Sequence, residues 1–450
     1  MKNILFILLM LIFSILSIML IGGYLYFSIF FLIFNLFICF FVVNNNSLSK
    51  NIITPQTILL LGFSTLIFGR FFAVLLNSSY LETLFCINFI FYYCSTENEI
   101  FRLFIYLHSI LISFSLGFLF LPKVKKNIEK INYISKGKIL ILFVLGFLSI
   151  VYLIFDNFGK ILLVLNSGYL ALYDGQSEDY EAPISLVINS LAVSCLALLF
   201  ALKKKDTQVN KYFIILFFLY IFKLMMAIGT GSRSHFIAGV ILLIWYIFYD
   251  RTLNFKHYLL LLLSFFVTAL GVNSLASLSG ARVVNNVELG FLEKISFIFY
   301  NQGISLMVFD ISLKYSDYPV LGYLKVILPG VQVLYSFFGV NERKDFNWSS
   351  YVVYNENISA YLNGNGLGWS LYSDFYAFSF GFLPIFCLLV FLFSRLIVKA
   401  TYSNSLYYNG IVFVLVGTLF TINRSSVSGL IFIIIFYSVL YLFFVKSRVK

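Results

Sequence analysis

Apolar residues run along this chain in unbroken blocks rather than in alternation, with short polar stretches between them. The blocks are about 15 to 22 residues long, the length a helix needs to cross roughly 30 Å of hydrocarbon. Hydrocarbon offers the backbone no hydrogen-bonding partner, so each block is predicted to be a helix that satisfies its own amides. A membrane barrel would instead show short strands alternating apolar and polar. The pattern predicts an all-α polytopic transmembrane bundle with twelve spans, near 4–20, 24–43, 53–76, 100–121, 139–155, 183–202, 212–228, 234–249, 258–275, 373–394, 408–422 and 428–446. The first reads as a span, since a Lys and a long apolar stretch precede no small-residue cleavage site.

One stretch departs from the pattern. Residues 276–372 are mixed and hydrophilic, and they divide the chain into nine spans over 1–275, one large loop, and three spans over 373–450. The loop is not featureless. "GFLEKISFIFYNQGISLMVFDI" mixes apolar and polar residues at helical spacing, as amphipathic helices lying on or packed over a membrane face do. Pro319 and Pro329 punctuate it, and "NGNGLG" closes it.

Composition supports the membrane reading: 61% of the 450 residues are apolar and only 11% charged, too little charge to coat a water-facing surface. The net charge of +12 does not point to nucleic acid, because the lysines sit in short loops between apolar blocks. One set of loops carries Lys123, Lys125, Lys126, Lys130, Lys136, Lys138, Lys203, Lys204, Lys205, Lys211, Arg251, Lys256, Arg395 and Lys399. The opposite set carries Glu82, Glu97, Glu99, Asp174, Glu178, Asp179 and Glu181. Positive charge marks the cytoplasm. Both termini are therefore expected inside and residues 276–372 outside, and an even number of spans agrees.

Five cysteines follow no metal or redox spacing. Cys39, Cys195 and Cys387 lie in apolar runs as small hydrophobes, while Cys86 and Cys94 share one outer loop in which they can pair.

Because basic residues gather inside, an outer arginine needs another explanation. Three stand out: Arg233 in "GTGSRSHF", Arg282 in "LSGARVVNN" and Arg424 in "TINRSSVSG". Each sits at a span end among Ser and Gly, where its burial costs energy unless an anion meets it. The guanidinium fork matches phosphate oxygens, and Arg233 and Arg424 precede helices whose first amides would face the same anion. Snorkelling to headgroups or pairing with a loop acid is the plainer alternative for any one of them.

Candidate acids and bases are Asp374, Glu293 and His235. Asp374 opens span ten, where a helix N-terminus favours its charge; Glu293 follows Arg282 in the amphipathic run; His235 lies two residues after Arg233. Asp310, Glu342, Asp345 and Glu356 read as solvated loop acids. No Asp-x-Asp, His-x-x-x-His or Cys-x-x-Cys pattern occurs on the outer side, so no metal and no cofactor is expected. The late outer loop is rich in Tyr, Trp and Asn, which suits either an interfacial aromatic belt or a platform for sugar rings.

These residues resemble a family. Gly366-Leu367-Gly368-Trp369-Ser370, followed by Asp374, Tyr376 and Phe380-Gly381, looks like the "GxGxSxxxE/DxYxxFG" signature of the bacterial O-antigen polymerases called Wzy. The "GSRS" turn at Arg233, the "NQG" at Asn301 to Gly303 and the late Arg424 fit the same family, although its acid position is more often Glu. The resemblance implies a GT-C-like, metal-independent glycosyl transfer at the periplasmic face of the inner membrane. A growing glycan would pass from undecaprenyl pyrophosphate to the non-reducing end of a new lipid-linked repeat unit. Arg233, Arg282 and Arg424 would hold the pyrophosphate, Asp374, Glu293 or His235 would handle the proton, and Gln302, Trp369, Ser370 and Tyr376 would meet the glycan. The implied partners are the lipid-linked oligosaccharide, the bilayer and a chain-length regulator. An O-antigen ligase would be expected to carry a His in its large loop, and 276–372 contains none. A flippase would need charge within the spans, where Arg70 and Lys223 are among the few.

Overall fold

In the computed structural model the described residues are 2–45, 53–88, 90–119, 134–167, 183–203, 206–230, 233–249, 290–328, 331, 335, 339 and 342–446. Arg282, predicted span nine and the loop carrying Lys123 to Lys130 lie outside them.

Helices account for nearly all of the architecture. In chain order they are α1 (Lys2–Met19), α2 (Leu25–Asn45), α3 (Pro55–Leu66) and α4 (Gly69–Leu76), then α5 (Glu97–Leu119), α6 (Lys136–Ser167), α7 (Pro183–Leu202), α8 (Thr207–Met226) and α9 (Arg233–Phe248). The later part of the chain holds α10 (Phe291–Gln302), α11 (Ser305–Ser312), α12 (Val320–Ile327), α13 (Arg343–Phe346), α14 (Trp348–Glu356) and α15 (Ile358–Leu362). It closes with α16 (Leu371–Phe378), α17 (Leu383–Tyr402), α18 (Leu406–Thr418) and α19 (Ser428–Tyr441). Among the described residues eight helices are long and apolar enough to cross a membrane, or nine if the bent pair α3 and α4 is one span.

Apart from span nine, each predicted apolar block is helical, with differences in detail. Span five does not stop at 155. The i,i+4 pair Asp156–Lys160 (2.7 Å) and the bond from Asn157 Nδ2 to Lys223 O (3.1 Å) carry α6 on to Ser167. Span ten does not begin at 373. Phe380 (φ 52°) and Gly381 (φ 74°) both take the left-handed conformation and break the run into α16 and α17, with Pro384 in the first turn of α17. A further difference concerns the segment assigned to the large loop. Phe291–Ser312, made of α10 and α11, is together long and apolar enough to span.

The bend between α3 and α4 is 58°. Thr54 starts α3, accepting from Thr57 N (3.3 Å) while Thr57 Oγ1 accepts from Thr54 N (2.9 Å), and Pro55 follows in the first turn. After the bend, α4 lies against α10 so closely that only glycine fits on either side. A Cβ on Gly69 would meet Phe299 O at 2.5 Å, and one on Gly303 would meet the Arg70 amide nitrogen. The glycine of "NQG" is thus explained by backbone approach.

The described strands form one antiparallel hairpin, β1 (Cys86–Asn88) with β2 (Tyr92–Cys94), in which Cys86 faces Cys94 and the two are disulfide-bonded. One set of buried polar groups joins three of the helices. His108 of α5 meets Ser14 Oγ of α1 and Asn35 Nδ2 of α2 through Nδ1, each at 3.1 Å. At the end of the bundle away from the hairpin, Lys138 Nζ donates to Phe443 O (3.5 Å) and Arg395 Nη1 to Gly117 O (3.4 Å). Basic residues of α6 and α17 therefore both lie at the end away from the hairpin.

Candidate functional site

The hairpin end is built around a seam between α11 and α16. Ser370 begins α16: its hydroxyl accepts from Ser373 N (3.0 Å) and lies 2.7 Å from Ser373 Oγ. Ser312 Oγ, at the end of α11, donates to Ser373 Oγ (3.0 Å), and Tyr376 OH donates to Leu313 O (2.9 Å). The serines and tyrosine of the signature thus join two segments of the chain. Tyr106 of α5 donates to Gly381 O (2.7 Å), fixing the left-handed turn from the other side.

From this seam Asp374 reaches toward the turn that carries Arg424. Its Oδ1 accepts from Trp369 Nε1 (2.7 Å) and its Oδ2 from the Val427 amide (2.6 Å). The side chain is fully enclosed, at 0% exposure. Lying in α16, outside the helices long enough to span, the carboxyl is pushed by burial up to about 7, against the pull of Val427, Trp369 and Ser426. The same turn is held a second time. Tyr372 OH donates to Asn423 Oδ1 (2.6 Å), and Asn423 Nδ2 donates to Leu59 O, Leu419 O and Phe420 O at 3.3, 3.1 and 3.2 Å. Asn423 is enclosed and Arg424 beside it is exposed. Helix α9, opened by Arg233, packs against the Thr421–Arg424 turn. The Arg233 helix, the Arg424 turn and the Asp374 helix therefore meet.

The other candidates sit differently. Glu293 is exposed and its Oε2 accepts the Gly290 amide (2.8 Å), capping its own helix. His235 is exposed on the first turn of α9, and Gln302 is half-buried at the end of α10. Trp369, Ser370 and Tyr376 are buried and their polar atoms bond within the protein. The late-loop aromatics pack on one another: Trp348 lies 4.8 Å from Tyr323, 5.5 Å from Tyr318 and 6.2 Å from Trp369, so these rings form a core above α16. Among the described residues no three His, Cys, Asp or Glu gather as ligands for a metal.

Two groups at this end escaped the sequence reading. Asp310, expected in a solvated loop, is buried in α11, with Oδ2 accepting from Ser95 Oγ and from Tyr93 OH (3.2 Å). Burial, with Asp310 beside it, holds the Tyr93 phenol well above its ordinary value and so keeps it a donor. Arg102, in the second turn of α5, stands close to Asp310, Tyr106 and Tyr376. It is an arginine near the hairpin end of a long apolar helix, at a span end as Arg233 and Arg424 are. Arg70 Nη1 is bound by Leu84 O (2.7 Å) and Cys86 O (2.6 Å) of the hairpin, and its guanidinium lies 4.4 Å from the Tyr300 ring. These contacts give it a partner set of its own within the fold.

Compared with known families, residues 2–450 match the family model described as O-antigen polysaccharide polymerase Wzy. The chain belongs to this family and is an integral membrane protein that polymerises lipid-linked repeat units. No curated protein and no solved structure matches it.

Proposed function

We propose that this member of the O-antigen polymerase family moves the growing glycan from undecaprenyl pyrophosphate onto the non-reducing end of a new lipid-linked repeat unit, without a metal and in the GT-C manner. The observation that carries this reading is the meeting of the Arg233 helix with the turn that presents Arg424. Two guanidinium groups on such adjoining elements suit one diphosphate, whose negative charge grows as the anomeric bond breaks. Arg282 is assigned to the same anion. Asp374, Trp369, Ser370 and Tyr376 are assigned to positioning, because their polar atoms are spent in holding the seam and the turn. His235 beside Arg233 and Gln302 at the end of α10 are assigned to the incoming glycan, and Glu293 to shaping the start of α10.

Two observations support the membrane face of this reading. Lys138 and Arg395 lie at the end opposite the hairpin, and a disulfide closes the hairpin itself, as suits an oxidising compartment. The reading places the site at the periplasmic face of the bacterial inner membrane, both termini in the cytoplasm, with a chain-length regulator as partner.

The test is reconstitution of the purified protein in vesicles with lipid-linked repeat units from the native cell. Lipid-linked dimers and longer chains should form in the presence of a chelator, with each new unit at the reducing end. Chains that grow at the other end, or only with added metal, would refute the direction or the metal-free step.

A further inference from the structure

Asp310 is 1% exposed, yet among the described residues only one of its oxygens meets a donor. Ser95 and Tyr93 both donate to Oδ2, while Oδ1 is enclosed and meets no donor among the described residues. An enclosed carboxylate oxygen without a donor costs free energy that packing alone gives no reason to keep. Asp374, by contrast, has both oxygens occupied.

The surroundings of Asp310 supply the complementary half. Arg102 stands close by, and its Nε is enclosed and meets no acceptor among the described residues. No ion pair joins Arg102 and Asp310 among the described residues. Glu99 faces the same carboxylate, and Lys314, paired with Glu356 at 2.6 Å, lies 4.8 Å from the Tyr93 ring. An unpaired acceptor and an unpaired donor in one buried cluster match a hydroxyl, which gives a proton to one and accepts from the other.

We infer that Asp310 takes the proton of the attacking sugar hydroxyl, with Arg102 holding that hydroxyl and Ser95 and Tyr93 fixing the carboxylate. The inference rests on the polymerase direction proposed above. The O–H bond of the acceptor breaks and its proton passes to Asp310 Oδ1. The oxygen pair forms the new bond to the anomeric carbon, and the bond from that carbon to pyrophosphate breaks with its electrons leaving on the pyrophosphate. Asp310 then returns its proton to solvent. Tyr376, bonded to Leu313 O and stacked edge-on with Tyr106 at 5.3 Å, ties this cluster to the Asp374 seam.

The experiment compares wild type, Asp310→Asn and Ser95→Ala in vesicles, using undecaprenyl-pyrophosphate-linked repeat units extracted from the native cell. Asp310→Asn should keep its KM within about threefold and lose about 100-fold or more in kcat, the scale of a lost general base. Turnover by Asp310→Asn within threefold of wild type overturns the inference and leaves the polymerase reading standing. If Asp310→Asn does not accumulate in the membrane, Ser95→Ala decides: kcat about tenfold lower at unchanged KM supports a positioned base, and wild-type kcat overturns it. A wild type that joins no units overturns both readings.

Discussion

Asp374 Oδ2 accepts the Val427 amide at 2.6 Å, so an acid of α16 holds a backbone group 53 residues later in the chain. Trp369 fills the other oxygen, and the carboxylate acts as a clamp between the signature segment and the Arg424 turn. Asp374→Ala would leave two enclosed donors without acceptors, at about 1–3 kcal/mol each. We expect a lower unfolding temperature in detergent and loss of long chains. Asp374→Asn keeps one acceptor and should fall between. An Asp374→Ala protein as heat-stable as wild type would exclude the clamp.

The same group sets a pH dependence. Burial pushes its carboxyl up to about 7, whereas the unfolded chain has the ordinary value of 3.8. Between these values the folded protein holds a proton that the unfolded chain has lost, so this contribution to stability falls as pH rises through the window and levels off above it. Asp374→Asn has no such proton. Its unfolding temperature relative to wild type should therefore improve from about pH 5 to about pH 8; a gap independent of pH would show that the carboxyl does not titrate there.

Close approach at Gly303 gives a sharper stability test. A Cβ there would meet the Arg70 amide nitrogen, and neither backbone can give way without parting α4 from α10. Gly303→Ala should cost about 1–3 kcal/mol and lower the amount of folded protein in the membrane. Gly417, in α18, has nothing within 4 Å of an added Cβ. Gly417→Ala serves as the control and should be neutral or slightly stabilising. Equal thermal midpoints for the two variants would contradict the packing described.

What the sequence made legible follows from the range of the forces involved. Span positions could be read because hydrocarbon thickness acts on local apolar runs. The split at Phe380 was not readable as a break: a left-handed Phe is held there by Tyr106 on Gly381 O and by its own stacking on Tyr323 at 5.5 Å, both distant contacts. Asp310 looked solvated because its neighbours in sequence are mixed. It is buried by Tyr93 and Ser95, 217 and 215 residues away. The late aromatics suit either an interfacial belt or a sugar platform from sequence alone; Trp369 and Tyr376 lie buried, Trp369 beside Trp348 at 6.2 Å, a placement set by contacts distant in the chain. Arg102 carries the same sequence signal as Arg233 and Arg424, but it lies in the second turn of α5 rather than in a loop.

The hairpin disulfide is testable by labelling. Cys86 and Cys94 close a short loop, worth about 2–3 kcal/mol on the chain-entropy scale, and the hairpin carbonyls hold Arg70. In a background with Cys39, Cys195 and Cys387 replaced by Ala, a membrane-impermeant maleimide should label intact spheroplasts only after reduction. Labelling without reduction would mean that the pair is open, and labelling only after lysis would place the hairpin in the cytoplasm. Replacing both hairpin cysteines by Ser should lower the unfolding temperature.

The shared-anion assignment of Arg233 and Arg424 can be tested by a double-mutant cycle. Lysine keeps the charge and loses the fork, so Arg233→Lys and Arg424→Lys should each reduce turnover in vesicles by about tenfold or more if each arginine binds phosphate oxygens in pairs. Helix α9 packs on the Thr421–Arg424 turn, and two side chains serving one diphosphate should then be coupled. The double variant should lose less than the product of the single losses, by about 0.5–3 kcal/mol of interaction energy. Losses that add to within about 0.3–0.5 kcal/mol would mean that the two arginines serve separate anions. Each variant must also accumulate in the membrane as wild type does. Arg424 is exposed while the Asn423 bonds that hold the turn lie in the enclosed residue beside it, so Arg424→Lys leaves those bonds in place.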